Sequence, residues 1–223
     1  MEESIKDLLK TLKTIEDKII SVENVSAAIT YLTWSLAVIT FWVLGTVIYD
    51  KVSGSMFGAF AATYWTVVTA LIIYSYINVE KSIITFYIRI GKAYGRESIE
   101  KVAEISNKVK KLIALGWIAS FIVGFLVAHI LNRIAVISFP LFFSIGYLLS
   151  LSLGNFLMYL IHYLYYRVSD YIPVYVSAIL LTALLASFIV SEEILAGYTL
   201  GSLVLAYEVA TLLYLKRALR TYL

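Results

Sequence analysis

Apolar and polar positions fall into blocks along this chain. Six apolar runs stand out: Ile29–Tyr49, Met56–Val79, Leu112–Leu131, Ala135–Leu157, Val174–Val190 and Ile194–Leu215. Each approaches the ~20 residues that a helix needs to cross the hydrocarbon core of a bilayer, and the fifth is the shortest. A lipid-facing β-barrel would instead show ~10-residue segments of strict alternation. The pattern therefore predicts an all-α integral membrane protein of six transmembrane helices, arranged as three helical hairpins.

Two polar blocks have helical periodicity of their own. In residues 1–28 the apolar positions Ile5, Leu8, Leu12, Ile15, Ile19 and Val22 are spaced 3, 4, 3, 4, 3, a heptad seam. Ser4 and Asp7 resemble a capping box at its start. The expectation is an N-terminal amphipathic helix leading into the first span. Residues 80–111 hold the second block. The second span is expected to continue to about Ile90, "GKAYG" to break it, and a new helix from about Glu97 to run into the third span. Ile99, Val102, Val109 and Ile113 keep the 3–4 rhythm there. The seams Leu8/Leu12/Ile15 and Ile99/Val102/Val109 can zip together or dock a partner chain, or the first can lie among lipid headgroups. The chain thus divides into 1–28, the 29–79 hairpin, the 80–111 helical excursion, the 112–215 spans and a basic tail, 216–223.

Charge sets the orientation. With the N-terminus inside, sixteen of the eighteen lysines and arginines fall on inner segments, and only Lys51 and Arg133 lie outside. Cytoplasmic loops retain such residues, so both termini are expected in the cytoplasm. The outer loops "DKVSGS", "NRIA" and "SEE" are too short to form a domain. The basic inner face suits anionic lipid.

Composition adds less. Only 15% of residues are charged and 61% are hydrophobic; a soluble domain carries roughly 25% charged residues. Cysteine is absent, which removes disulfides, thiolate metal sites and a cysteine nucleophile. Glutamine is absent too, and asparagine and methionine are scarce, a thermophile tendency that with the Ile, Leu and Tyr richness suggests an archaeon-like source. The first 28 residues lack the texture of a secretory signal.

Glu208 is the candidate for chemistry. It stands about 13 residues into the last span, ~20 Å deep at 1.5 Å per residue. An acid there must face protein or water. Tyr74 and Asn78 on the second span, and Asn155 and Tyr159 on the fourth, lie at similar depth and complete an intramembrane polar site. Glu192 and Glu193 distantly resemble the first motif of intramembrane prenyl-endopeptidases, but the accompanying arginine and histidine motif are missing; Ser191 as N-cap with two first-turn acids accounts for them. His129 and His162 fall near opposite membrane faces, so no metal site is expected. There is no P-loop, Asp-rich diphosphate motif or nucleic-acid motif, and no cofactor is implied. Small residues four apart, Gly54/Gly58, Ser120/Gly124, Ser150/Gly154 and Gly197/Gly201, mark close helix contacts, within the chain first and between copies second. Tyr64, Tyr147 and Tyr198 recur at the start of the three return arms, as diverged hairpin repeats would place them.

These features imply a polytopic component of a transport or secretion system, permease-like, with cytoplasmic helices that dock a motor or partner. The layout is similar to that of the membrane subunits of ATP-driven exporters, which carry an N-terminal interfacial helix and a cytoplasmic coupling helix after the second span. Alternatives are a non-catalytic anchor or assembly subunit of a larger complex, including a DNA- or protein-translocating one, and a lipid-modifying membrane enzyme.

Overall fold

A computed structural model describes residues 2–49, 51–53, 56, 59–61, 63–72, 74, 97–166 and 170–220. Within these, the side chains of residues 2–9, 12, 16, 46, 49, 97–103, 105, 106 and 166 are not described. The described chain is all-helical: α1 (Glu2–Tyr49), α2 (Ala59–Ile72), α3 (Glu97–Ala135), α4 (Phe139–Tyr166), α5 (Ile172–Ser187) and α6 (Glu192–Arg220). Four of these contain stretches long and apolar enough to cross a membrane: Lys13–Gly45, Asn107–Ala135, Phe139–Tyr165 and Glu192–Arg220.

The apolar runs differ from the helices in two places. The fifth is a helix of 16 residues, about 24 Å long, because Pro173 opens it and the turn that begins at Phe188 closes it. The second run is described as helix over Ala59–Ile72, and its continuation, with Asn78, lies outside the described residues. The expected N-terminal helix and first span form one uninterrupted 48-residue helix, about 70 Å long. No glycine or proline stands between Glu2 and Leu44 to break it. The expected start of a helix near Glu97 that runs on into the third span is observed as α3.

Side-chain pairs give the helix directions. Ser21 reaches the Ala218 carbonyl and Thr211 the Ala28 carbonyl, so α1 and α6 are antiparallel. Trp117 packs over Gly154 while Gly124 abuts Gly146 and Ser150, so α3 and α4 are antiparallel. Ser152 bonds Ser177 on α5, and Ser144 bonds Thr199 on α6 at 2.6 Å, which makes α4 and α6 parallel with α5 running against both. On α2, Tyr64 donates to the Ala37 carbonyl of α1 at 2.7 Å and Phe60 stacks on Phe41, again antiparallel. Tyr198 makes the matching bond to the Ala183 carbonyl of α5, at 3.1 Å. Thus two of the three recurring tyrosines tie a return arm to the backbone of its outgoing arm. The third, Tyr147, packs edge-on against Phe125.

The core between α4, α5 and α6 is apolar, with Ile145, Leu148, Val176, Leu180 and Leu203 buried, but α1 contributes a different kind of face. The face of α1 toward α6 is Ser21, Asn24, Ala28, Tyr31, Ser35 and Val38, all buried and spaced 3, 4, 3, 4, 3. The large aliphatics of α1 face outward: Val22 is 48% and Ile29 55% exposed. In lipid, apolar bulk gains nothing by being buried, and close backbone approach with local hydrogen bonds holds helices together instead. Ser120 and Ser150 donate their hydroxyl protons to the carbonyls four residues back, which satisfies them without a neighbour.

One turn is strained. Val136, after the last residue of α3, has φ +48°, and its N–H bonds the Asn132 carbonyl in a left-handed cap that normally takes glycine. Its side chain is 84% exposed and packs on little. Val136→Gly should therefore raise stability by about 0.5–1 kcal/mol, the relieved strain outweighing the added freedom of the unfolded chain. Thermal unfolding in detergent checks this; an unchanged or lower melting temperature would show that the turn is not strained.

Candidate functional site

Two polar clusters lie on the inner surfaces of α1, α4 and α6, and the sequence pattern singled out one member of each. Glu208 sits in the middle of α6, half-buried. Its Oε1 accepts a hydrogen bond from the Ser35 hydroxyl at 2.8 Å, and Ser35 is fully buried on α1. Among the described residues this hydroxyl is the group that holds the carboxyl. The Ser35 hydroxyl needs only an acceptor oxygen, which the side chain supplies.

Asn155, on α4, belongs to a different cluster. Its Oδ1 accepts from the Tyr31 hydroxyl at 2.7 Å, while its Nδ2 donates to the Leu151 carbonyl at 2.8 Å. Tyr31 lies edge-on to Tyr207 and stacks on Tyr214, with ring centroids 5.6 and 5.8 Å apart. The Tyr214 hydroxyl in turn donates to Asp170 Oδ2 in a short bond. Asp170 stands in the connection between α4 and α5. Its Oδ1 accepts from Arg217 Nη1 at 2.9 Å and from the N–H of Ile172, the first residue of α5, at 3.3 Å. A polar file therefore runs from the C-terminal end of α6 inward: Arg217, Asp170, Tyr214, then by ring contact Tyr31, then Asn155. Tyr31, Tyr207, Tyr214 and Asn155 are all buried.

Of the intramembrane residues singled out by the sequence, the hydrogen bonds join none directly to another. Glu208 meets Ser35, and Asn155 meets Tyr31. Tyr74 is exposed, and Tyr159, half-buried, stacks on Tyr163 and lies tilted against Tyr171. Asn78 lies outside the described residues. No sequence motif marks Tyr31, Ser35, Asp170 and Tyr214, because their partners are 44 to 173 residues away in the chain. The one local signal was the small-and-polar heptad Ser21–Ala28–Ser35 within an apolar helix, which in a membrane marks a contact face. Of the docking seam, Ile15 is half-buried, and Val109 is buried where α3 meets the end of α4. The side chains of Leu8, Leu12, Ile99 and Val102 are not among those described. No group of three or more His, Asp or Glu side chains that could hold a metal occurs among the described residues.

The small-residue pairs also divide. A Cβ on Gly124 would fall 2.7 Å from the Gly146 carbonyl oxygen, and one on Gly154 would strike the Trp117 ring. Gly197 and Gly201, by contrast, have nothing within 4 Å, so the expected contact inside the chain is not made there. They share a face of α6 with Glu208, at helical spacing.

Because Ser35 needs only an acceptor, Glu208→Gln should leave thermal unfolding within about 0.5 kcal/mol of wild type, and Ser35→Ala should cost about 0.5–1 kcal/mol. A large loss with Gln would show that the carboxyl's charge holds the helices together. Compared with known proteins, the chain matches no family model, no curated protein and no solved structure.

Proposed function

We propose that this chain is a multi-pass membrane subunit of a transport or secretion assembly, permease-like, that docks a cytoplasmic motor or partner. The observation that carries the reading is a shared projection. Ser21 lies opposite Ala218, near the end of α6, so the first ~17 residues of α1 run about 25 Å beyond it. Lys108 lies over the Tyr165 ring at the end of α4, so α3 projects by ~11 residues, about 16 Å. Both projections leave the same end of the bundle, where Lys216, Arg217 and Arg220 also gather. A pair of helices reaching past a membrane bundle on its basic face suits the docking of a soluble partner.

Six crossings with both termini cytoplasmic fit this reading. α4 and α6 run parallel, so α5, though short, must carry the chain back across the bundle. α1 and α3 are parallel as well, and α2 starts antiparallel to α1, the direction a second crossing would take. Sixteen of eighteen basic residues then lie on the side of the projections. The open Gly197/Gly201 face of α6 favours a second reading, an assembly subunit packed against another membrane helix.

The chain lacks cysteine, so single introduced cysteines report topology cleanly. Cysteines at Lys51 and Glu192 should react with an impermeant reagent from outside, and those at Lys101 and Arg217 only after the membrane is opened; external labelling at 101 would rule the topology out. Purification of the full chain in mild detergent should bring down a cytoplasmic protein, and Leu12→Glu with Ile15→Glu should release it without altering the melting temperature. A chain that purifies alone and is active alone would overturn the docking reading.

A further inference from the structure

Between α4, α5 and α6 the interior carries hydroxyls at two levels, with an apolar layer between them. Toward the α5–α6 turn, Ser144 of α4 and Thr199 of α6 share a hydrogen bond at 2.6 Å, and both are buried. Toward the projections, the Ser152 hydroxyl of α4 lies 2.9 Å from both the hydroxyl and the carbonyl oxygen of Ser177 on α5. Asn155, buried about one turn further along α4, accepts from the Tyr31 hydroxyl. Beyond it Asp170, just before α5, accepts from Tyr214 and Arg217. Ser144 and Ser152 are eight residues apart, about 12 Å along α4. The layer between them is a ring of leucines. α4 and α6 run parallel from the Ser144–Thr199 contact, so Leu148 and Leu203, each four residues on, stand at one level. α5 runs the other way from the Ser152–Ser177 contact, which brings Leu180 to that level too. All three are 4% exposed or less.

The outer pair is not required to satisfy its own members. Ser144 reaches the Pro140 carbonyl and Thr199 the Leu195 carbonyl, each four residues back and 2.9 Å away. Alanine and valine would fill the same space with no group to satisfy. Polar side chains turned toward the interior of a membrane bundle mark ion and proton routes. We propose that the seam between α4, α5 and α6 is a proton route, formed by these hydroxyls and closed by the ring of Leu148, Leu180 and Leu203. The hydroxyls meet at hydrogen-bond distance, so nothing larger than a proton or a water passes unless the helices part. A hydroxyl hands a proton on by donating its own to one neighbour while accepting another, so charge moves and no group is consumed. Leucine neither donates nor accepts, and the transfer stops at the ring until water enters it. Asp170 and Arg217 stand at the mouth on the basic side. The proposal rests on the transport reading above and names its cargo.

The experiment uses the full chain in liposomes that enclose a pH-sensitive dye, with a potassium gradient and valinomycin to drive protons inward. Leu148→Asn, which makes the ring polar at nearly constant size, should admit protons at least tenfold faster than wild type. Adding Thr199→Val or Asn155→Leu, which removes a polar member on either side of the ring, should return the rate to that of wild type. Val38→Asn is the control, a polar change at an equally buried position on α1, outside the seam; it should not leak. Each variant is assayed below its own melting temperature, and Leu203→Ser tests the same level if Leu148→Asn does not fold. Folded ring variants that stay as tight as wild type would overturn the proposal. So would a leak of equal size in Val38→Asn, or one that survives both Thr199→Val and Asn155→Leu, because either describes a loosened bundle and not a route. Failure here is distinguishable from failure of the transport reading, which the cysteine labelling and the partner purification decide without these residues.

Discussion

Gly124→Val should separate α3 from α4 and lower stability by about 2–3 kcal/mol, the cost of overpacking a close contact. At Gly124 a Cβ meets not only the Ser150 hydroxyl but the backbone itself: the Gly146 carbonyl oxygen at 2.7 Å and the Ser150 nitrogen at 2.8 Å. A flexible side chain can turn aside, whereas two helix backbones move only as bodies. Ser150 cannot yield freely either, because its hydroxyl is bonded to the Gly146 carbonyl at 2.6 Å. Trp117 over Gly154 lies two turns along the same seam and will resist the same displacement. The matched control is Gly201→Ala on the open face of α6. It meets nothing, so it should be neutral or should stabilise by up to about 1 kcal/mol through helix propensity alone. Thermal unfolding of both variants in detergent decides the matter. If Gly124→Val melts as wild type does, the α3–α4 contact is looser than described. If Gly201→Ala destabilises, or shifts the oligomeric state, the open face of α6 is covered in the native assembly.

Asp170→Ala is expected to cost about 2–3 kcal/mol, or roughly 5–10 °C in melting temperature for a chain of this size. One carboxylate serves three donors: Tyr214, Arg217 and the Ile172 N–H. The losses are unequal. Arg217 is 42% exposed and water replaces much of what it gives up, so the ion pair by itself contributes little. Tyr214 is buried, and its hydroxyl would be left without an acceptor, the costlier outcome. Asp170→Asn should therefore fall between Ala and wild type, since its Oδ1 can still accept from Tyr214, and Tyr214→Phe should cost about 1 kcal/mol. Tyr31 stacks on Tyr214 and bonds Asn155, so Asp170→Ala and Asn155→Leu should be non-additive. Wild-type melting of Asp170→Ala would mean that this file of side chains contributes nothing to holding α4, α5 and α6 together.

Several features were legible in the chain before any coordinates. The spacing of apolar runs determined the helical class, because a backbone in lipid has to satisfy its own hydrogen bonds and a helix does so within one segment. The same reasoning located α3, α4 and α6, and the absence of glycine and proline before Gly45 leaves α1 unbroken. Glu208 and Asn155 stood out because polar groups at depth must have partners. Which partners they have could not be read. Every residue in a membrane bundle is apolar on average, so hydropathy does not distinguish the face that meets a neighbour from the face that meets lipid. The heptad of large aliphatics, Ile15, Ile19, Val22 and onward to Ile29 and Leu36, is the conspicuous pattern on α1, yet Val22, Ile29 and Leu36 are exposed. The buried face is the small and polar set Ser21, Asn24, Ala28 and Ser35. Likewise Gly124 and Gly197 look alike as members of four-residue small pairs, and only the packing of α4 on one and open space beside the other separates them. Ser35–Glu208, Tyr31–Asn155 and Asp170–Tyr214 each join residues far apart in the chain. Their pairing is settled by helix register and direction, which are properties of the assembled bundle and not of any one segment.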